Sequence, residues 1–180
     1  MTGNSTEKPQ LYYGWYIVAT AMFIAFVTTG ARNSFGIFVI PMSEEFDWNR
    51  TTISIAAAIG WLVNGITQPF LGYLFDRFNG RKIILTSLMV VGLATIALSL
   101  TFHFLFLVFI FGFVMSTAMS GASQGTLGPM LSRWFRRKRG TVLGMNVAGA
   151  SLGGLILIPF GAYLLDMTDW RTTWIALGLI

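Results

Sequence analysis

The chain has 180 residues, of which 54% are hydrophobic and only 11% are charged, and its formal net charge at pH 7 is +5. An ordinary soluble domain carries about 25% charged residues, so this composition argues against a soluble domain and favours a chain embedded in a lipid bilayer. The surplus of bases does not indicate a nucleic-acid partner, because the basic side chains are confined to short segments between apolar runs.

The first predicted helix spans approximately residues 13–40 and follows a polar tail, residues 1–12, that we expect to lie in the cytoplasm. At about 1.5 Å per residue, this apolar run is longer than the roughly 30 Å hydrocarbon core requires. The excess length predicts a tilt, or a bend near Gly30 or Gly36. Pro41 and the acidic residues after it mark the predicted end of the helix.

Further apolar runs follow, separated by short polar segments. In the second run Asn64 precedes Gln68 by one turn, which places both amides on one helix face, and Pro69 predicts a kink. The last run is too short to cross a bilayer, so we expect the chain to stop inside its sixth span. The predicted helices are approximately residues 13–40, 52–75, 82–102, 104–132, 139–166 and 171–180.

The fifth run contains two pairs of glycines, Gly140 with Gly144 and Gly149 with Gly153. Within each pair the spacing of four sets both glycines on one face of the helix. Small residues on one face let another backbone approach closely in a membrane. Both pairs therefore predict tight packing against a neighbouring helix.

The distribution of basic residues predicts the orientation of the chain. Nine of the 12 bases lie in the tail, in the segment after the second run and in the segment after the fourth, whereas the opposite side carries Arg50 and Arg171 with five of the seven acids. Because cytoplasmic segments are rich in Lys and Arg, we expect a multi-pass protein of the inner (plasma) membrane with its N-terminus in the cytoplasm. For the basic cluster at residues 133–139, specific binding of anionic lipid is the alternative to a topological role.

Arg32 is the one charge that lies inside an apolar run. It precedes Pro41 by about 13 Å of helix, so its side chain does not comfortably reach the outer surface. An arginine at helix centre costs about 2.5–3.5 kcal/mol on insertion scales, and something must offset that cost. Arg32 either faces a water-filled cavity and binds an anionic substrate, or it has a structural partner, such as carbonyl groups freed near Gly30 or Gly36 or a carboxylate elsewhere.

Polar side chains on other predicted helix faces are candidates to share this cavity. Thr28 lies one turn before Arg32, and Asn33 follows it directly. In the fourth run, polar residues recur at intervals of four and form a stripe. For each single residue, ordinary hydrogen bonding between helices is the alternative. The predicted substrate-binding residues are Arg32, Asn33, Thr28, Ser116, Ser120, Gln124, Asn64 and Asn146.

Residues 72–82 resemble the cytoplasmic turn between the second and third helices of the major facilitator superfamily, with a glycine, an aspartate followed by a base, and then glycine and further bases. Asn79 stands where that turn usually has a glycine. Other segments resemble the bacterial oxalate/formate-antiporter-like and monocarboxylate-porter-like carriers of the same superfamily. These segments are residues 13–18, 46–50, 133–140 and 143–149.

The resemblance implies an all-α polytopic membrane fold of twelve helices, of which this chain would be the N-terminal six-helix half with its sixth helix truncated. Substrate would bind near the midplane between the two halves, with the first and fourth helices lining the cavity. Gly72, Asp76, Arg77 and Arg81 would form a cytoplasmic gate, in which Gly72 allows a close approach. A solvated helix cap is the alternative role for Asp76. The implied partners are the small-molecule substrate, the lipid bilayer and the C-terminal six-helix half.

Together these inferences favour a secondary active transporter of a small organic anion, a mono- or dicarboxylate, that works by alternating access with proton coupling or anion exchange. The alternatives are an efflux carrier for neutral or drug-like solutes and a sensor that uses the same scaffold without transport. We do not expect an enzyme, because His103 is the single histidine and the apolar runs contain no acid or thiol that would complete an acid–base pair or metal set. We expect no cofactor, no metal and no nucleic-acid partner.

Overall fold

The computed structural model describes residues 11–78, 80–135 and 138–180, without the side chains of residues 11–13, 124 and 133. Most of the predicted tail, together with Asn79, Arg136 and Arg137 of the predicted basic segments, lies outside the described residues. Every regular element within these ranges is helical, which confirms the all-α prediction. The elements are α1 (Leu11–Asn33), α2 (Phe35–Phe46), α3 (Arg50–Arg77), α4 (Gly80–Leu98), α5 (Phe104–Leu107), a π-helical segment (Val108–Met115), α6 (Ser116–Gly121), α7 (Gln124–Trp134), α8 (Arg139–Met167) and α9 (Trp170–Leu179).

Five helical segments of the described chain are long and apolar enough to cross a membrane. The first combines α1 with α2, the fourth combines α5, the π-helical segment, α6 and most of α7, and α3, α4 and α8 are each one segment. The polytopic architecture predicted from the apolar runs is therefore confirmed, with α9 as the short last helix.

The first span is interrupted at Ser34, between the two glycines where a bend is expected. The backbone N–H of Ser34 and its hydroxyl both donate to the carbonyl oxygen of Gly30, at 2.9 and 2.8 Å. A serine that bonds back to the preceding turn competes with the regular backbone bond and often bends a helix. The interruption lies two residues after Arg32, within the same part of the first span.

The helix after this interruption runs through Pro41 to Phe46, beyond the end predicted at Pro41. Pro41 removes one backbone hydrogen bond from the turn before it. The neighbouring side chains Phe38 and Met42 are both fully buried, and Phe38 stacks on Trp174 of α9 with ring centroids 3.9 Å apart. This packing holds α2 in helical form where local propensity alone predicts a stop.

The first span and α8 form the most extensive helix contact in the described part of the chain. A Cβ placed on Gly153 would overlap the backbone carbonyl group of Phe26, and one placed on Gly149 would lie 2.7 Å from the carbonyl oxygen of Met22. The contact partners rise together in residue number, so α1 and α8 run parallel. Tight packing through Gly149 and Gly153 is therefore confirmed.

The first glycine pair of α8 behaves differently. A Cβ on Gly140 or Gly144 would meet nothing within 4 Å, so this pair packs against no described residue. The prediction of tight packing at Gly140 and Gly144 is therefore wrong within the described chain. The two glycine pairs have the same spacing but differ in their packing, because packing depends on whether another helix lies opposite.

The fourth span, predicted as one helix over residues 104–132, is divided into several pieces. Its π-helical segment places Gly112 against α3, where an added Cβ would lie 3.6 Å from the carbonyl oxygen of Ala56. The hydroxyl of Ser116 donates to the carbonyl oxygen of Phe111, five residues earlier, at 2.9 Å. Such π-helical segments often lie at functional sites, and this one leads into the polar stripe.

Candidate functional site

Arg32 lies over the indole ring of Trp61 on α3. The guanidinium carbon of Arg32 is 3.5 Å from the centre of that ring. With C–N bonds of about 1.33 Å, an edge-on guanidinium at this separation would bring a nitrogen to within about 2.2–2.8 Å of the ring, which is too close. The two groups therefore stack face to face. A contact of this kind contributes about 0.5–2 kcal/mol, which offsets part of the cost of placing Arg32 in the membrane.

Face-to-face stacking leaves the N–H groups of Arg32 pointing outward in the plane of the guanidinium. A guanidinium presents five donors in a fixed fork within that plane. In the described part of the chain, no acceptor forms a hydrogen bond or ion pair with them. The stack therefore fixes the plane of the guanidinium and leaves its donors available to an anion.

A cavity of about 360 Å³, here called the polar cavity, lies beside this pair. Hydroxyl and amide groups from α1, from α3 and from the junction of α6 with α7 line it. The predicted residues Thr28, Arg32, Asn33 and Asn64 are therefore brought together around one space. The polar residues of its wall are Thr28, Thr29, Arg32, Asn33, Asn64, Gln68 and Ser123.

A second cavity of about 180 Å³, here called the apolar recess, shares Arg32, Asn33 and Trp61 with the polar cavity. Its other walls are mostly carbon, and the rings of Phe35 and Phe111 stack there with centroids 4.0 Å apart. On each helix the residues of the recess lie nearer the Pro41 end of the first span than those of the polar cavity. The Arg32–Trp61 pair thus lies between the two. The remaining residues of the recess are Gly36, Ala57, Gly60 and Ser116.

The predicted polar stripe on the fourth span is already hydrogen-bonded to α3. The side-chain nitrogen of Asn64 donates to the hydroxyl of Ser120 at 2.7 Å and to the carbonyl oxygen of Ser116 at 3.1 Å. Gln68 donates to the side-chain oxygen of Asn64 at 3.2 Å, and the hydroxyl of Thr67 lies 2.9 Å from that of Ser120. These bonds occupy both amide donors of Asn64, so this network joins α3 to α6 in the wall of the cavity.

The other predicted residues lie in different surroundings. The hydroxyl of Thr28 donates to the carbonyl oxygen of Ile24 at 2.7 Å and keeps its lone pairs for other donors. Gln124 begins α7, but its side chain lies outside the described residues. Asn146 is buried about one turn before Gly149 of α8, and its side-chain oxygen accepts no hydrogen bond from any described residue.

Asn146 is remote from Arg32. Gly149 lies opposite Met22, so Asn146 faces the first span near residue 19. Thirteen residues of helix separate that level from Arg32, which corresponds to about 20 Å. Asn146 is therefore not part of the site that surrounds Arg32.

The predicted gate residues lie at the far end of α3 and the start of α4. A Cβ on Gly72 would meet nothing within 4 Å, so no described residue makes the close approach expected there. Arg77 donates to the hydroxyl of Tyr73 at 3.3 Å. Asp76 and Arg81 lie on either side of the turn that joins the two helices. Gly72 lies about one helical turn beyond Gln68, the last residue of α3 in the wall of the polar cavity, and the other three gate residues lie further along the chain.

Trp61 was not predicted as a site residue, although its position was open to prediction. It lies three residues before Asn64 and seven before Gln68, which is the spacing of one helix face. An aromatic residue in a membrane span usually contacts lipid, so Trp61 does not stand out from its sequence as a site residue. Among the described residues, no three His, Asp or Glu side chains come together as a metal site would require.

Comparison with known protein families agrees with this architecture. The family model described as Major Facilitator Superfamily matches residues 21–180. An uncharacterized MFS-type transporter, YcxA of Bacillus subtilis, is 28% identical over 166 residues, which are 92% of this chain and 41% of that protein. Monocarboxylate transporter 13 of Rattus norvegicus is 27% identical over 172 residues, 93% of this chain and 39% of that protein.

The fold is also similar to that of a solved transporter. A bacterial homologue of the human lysosomal transporter Spinster, in an inward-facing and unoccupied conformation, superposes with a TM-score of 0.76 over 93% of this chain at 15% identity. This chain covers 40% of the solved chain and about 40% of the curated relatives above. That share is consistent with an N-terminal half.

Proposed function

The chain belongs to the Major Facilitator Superfamily, and from this premise we propose that it forms the N-terminal part of a secondary carrier for a small organic anion, a mono- or dicarboxylate. Its relatives are transporters, which supports transport as the general function. The observation that carries the choice of substrate is Arg32, held by its face against Trp61 between the polar cavity and the apolar recess.

The chemistry of this site suits a carboxylate. Two parallel N–H groups of a guanidinium match the two oxygens of a carboxylate, and such bidentate pairs are short and strong. Asn33 lies beside Arg32 in the wall of the polar cavity and can add an amide donor to the same anion. The single hydroxyl proton of Thr28 is already donated to the carbonyl oxygen of Ile24, so Thr28 contributes to the wall of the cavity and not to the anion. Asn64, Ser116 and Ser120 act as the joint that holds this wall together.

The charge of Arg32 also bears on coupling. An empty carrier that closes around this guanidinium has to bury an unpaired charge, whereas a carrier loaded with an anion buries a neutral pair. Loaded carriers therefore change conformation more readily than empty ones. This favours exchange of one anion for another, because both the passage of a single anion and the co-transport of an anion with a proton require the empty carrier to return.

Replacement of Arg32 by glutamine tests the proposal. In the intact protein reconstituted into liposomes, we expect Arg32→Gln to abolish uptake of radiolabelled carboxylates, since the neutral amide removes both the charge and the fork of donors. Arg50→Gln, on the exposed first turn of α3, is the matched control and should transport normally. Both variants should reach the membrane in wild-type amounts. Normal uptake by Arg32→Gln would overturn the proposal.

A carrier for neutral or drug-like solutes is the second candidate, because the stacked rings of Phe35 and Phe111 offer an aromatic wall without charge. It predicts uptake that ignores the charge of the solute and persists in Arg32→Gln. A sensor built on the same scaffold would bind a ligand but give no counterflow, which is the exchange of labelled for unlabelled solute across a sealed membrane. Counterflow therefore separates the sensor from both carriers.

We also place this carrier in the inner (plasma) membrane with its N-terminus in the cytoplasm, from the distribution of its bases. Gly72, Asp76, Arg77 and Arg81 would then lie at the cytoplasmic face. There they would meet a C-terminal six-helix half, and the open space beside Gly72 would receive one of its helices.

A further inference from the structure

We propose that Trp61 is a positioning and specificity-determining residue: it fixes the plane in which Arg32 binds the anion, and its ring divides the charged end of the substrate from the non-polar end. This inference rests on the function proposed above.

The geometry of the Arg32–Trp61 stack limits how an anion can approach Arg32. Because the guanidinium carbon lies 3.5 Å from the centre of the Trp61 ring, one face of the cation is covered and cannot bind an anion. The carboxylate must therefore approach along an edge of the guanidinium. Without the indole, the long flexible side chain of Arg32 could adopt other directions within the open space around it.

The Arg32–Trp61 stack lies between the polar cavity and the apolar recess. Both cavities are lined by Trp61, Arg32 and Asn33. Most of the remaining hydroxyl and amide side chains belong to the polar cavity, whereas the rings of Phe35 and Phe111 belong to the recess, together with Ser116. A carboxylate placed at an edge of Arg32 on the polar side has its hydrocarbon part beside the indole and next to the recess.

The two cavities suit the two ends of a monocarboxylate. A carboxylate is stabilised by the donors of the polar cavity, and its non-polar end is stabilised by removal from water in the recess. The size of the recess then limits the length of the non-polar end. Trp61 should therefore affect both the affinity for the carboxylate and the choice among carboxylates of different length.

Substitutions of Trp61 in the intact, reconstituted protein test the positioning role, with straight-chain monocarboxylates from acetate to hexanoate as probes. Trp61→Leu removes the aromatic face and should raise KM by about tenfold. It should change kcat by less than about twofold, because the substitution leaves the groups that move during the conformational change intact. Trp61→Phe keeps a weaker aromatic face and should recover most of the affinity. An unchanged KM in Trp61→Leu would overturn the inference.

Phe70→Leu is the control for loss of an aromatic residue from α3. Phe70 is 72% exposed and lies nine residues after Trp61, which is the opposite face of the same helix. It should keep wild-type KM and kcat. A misfolded Trp61 variant would instead lower kcat and membrane content for every probe alike, so a selective rise in KM is a result that a purely structural role does not give.

Filling the apolar recess tests whether Trp61 separates the charged end of the substrate from its non-polar end. A Cβ on Gly36 would meet nothing within 4 Å, so a larger side chain introduced there starts in open space at the wall of the recess. Gly36→Leu should leave acetate uptake within about twofold of wild type and lower hexanoate uptake by about tenfold or more, since the non-polar end loses its place. Gly144→Leu, on α8 and equally open, is the matched control. Equal effects on acetate and hexanoate would show that the recess does not hold the non-polar end of the substrate.

These results remain distinguishable from a failure of the proposed function. If Arg32→Gln transports carboxylates normally, the proposed function fails and the role of Trp61 fails with it. If Arg32→Gln is inactive while Trp61→Leu keeps its KM and its preference for chain length, only the present inference fails. If both variants change as expected, both proposals are supported.

Discussion

The side-chain nitrogen of Asn64 on α3 donates a 2.7 Å hydrogen bond to the hydroxyl of Ser120 on α6. Both residues are buried, and the hydroxyl of Ser120 in turn bonds the carbonyl oxygens of Asn64 and Ser116, at 3.2 and 3.0 Å. Two helices that line the Arg32 site are thus joined by hydrogen bonds that use the amide donors of Asn64 and the hydroxyl of Ser120. The same polar stripe that suggests a wet cavity therefore also builds the wall of that cavity.

Removal of this joint should lower stability more than it changes substrate preference. Asn64→Ala deletes two interhelical donors and leaves Ser120 and the Ser116 carbonyl oxygen without them, at about 0.6–2 kcal/mol for each interhelical bond lost in a membrane. We expect a lower midpoint of thermal unfolding in detergent, with the order of preference among carboxylates unchanged. Ser151→Ala is the control, because the Ser151 hydroxyl is exposed and bonds only to its own helix. Equal midpoints for the two variants would refute a structural role for Asn64.

The contact between Gly153 and Phe26 predicts a second, larger loss of stability. An added Cβ on Gly153 would overlap the carbonyl group of Phe26, which belongs to a helix backbone and cannot rotate away as a side chain can. Gly153→Leu should therefore separate α1 from α8 and reduce the amount of folded protein extracted from the membrane. Overpacking of this kind typically costs about 1–3 kcal/mol, and more where backbone must move. Gly144→Leu, where the same addition meets open space, should be extracted in normal amounts.

The spans were predictable from sequence because a bilayer of fixed thickness dictates the length of each apolar run. That Arg32 has a partner was predictable for a similar reason, since a charge at that depth is costly. The partner itself, Trp61, was not predictable from composition, because an aromatic residue in a span usually contacts lipid. Its spacing from Asn64 gave a signal, but only the arrangement of α1 against α3 shows which ring Arg32 reaches.

The two glycine pairs of α8 show where local pattern stops being informative. Gly149 with Gly153 and Gly140 with Gly144 have the same spacing, yet only the later pair lies against another helix. Pro41 gives the reverse case, because it weakens the helix locally while the buried residues around it keep the helix intact. In both cases the outcome is decided by a tertiary partner distant in sequence, which periodicity does not reveal.

The stack on Trp61 makes a specific prediction for a conservative change at Arg32. Arg32→Lys keeps the positive charge but replaces a planar fork of donors with a single ammonium group on a flexible stem. We expect KM for carboxylates to rise by about tenfold or more, while Arg32→Gln loses uptake altogether. Equal KM values for Arg32→Lys and wild type would show that charge alone suffices and that bidentate recognition plays no part.

The two ends of α8 provide a direct test of the orientation. This chain contains no cysteine, so single cysteines can be introduced into it without removing any native thiol. Lys138 directly precedes α8 and Asp169 follows it, both exposed, and a 29-residue helix places them about 43 Å apart, longer than the hydrocarbon core is thick. In intact cells a membrane-impermeant maleimide should label Asp169→Cys, whereas Lys138→Cys should react only after the membrane is opened. Labelling in the reverse pattern would show that the bases mark the outer face, and labelling of both in intact cells would show that α8 does not cross the membrane.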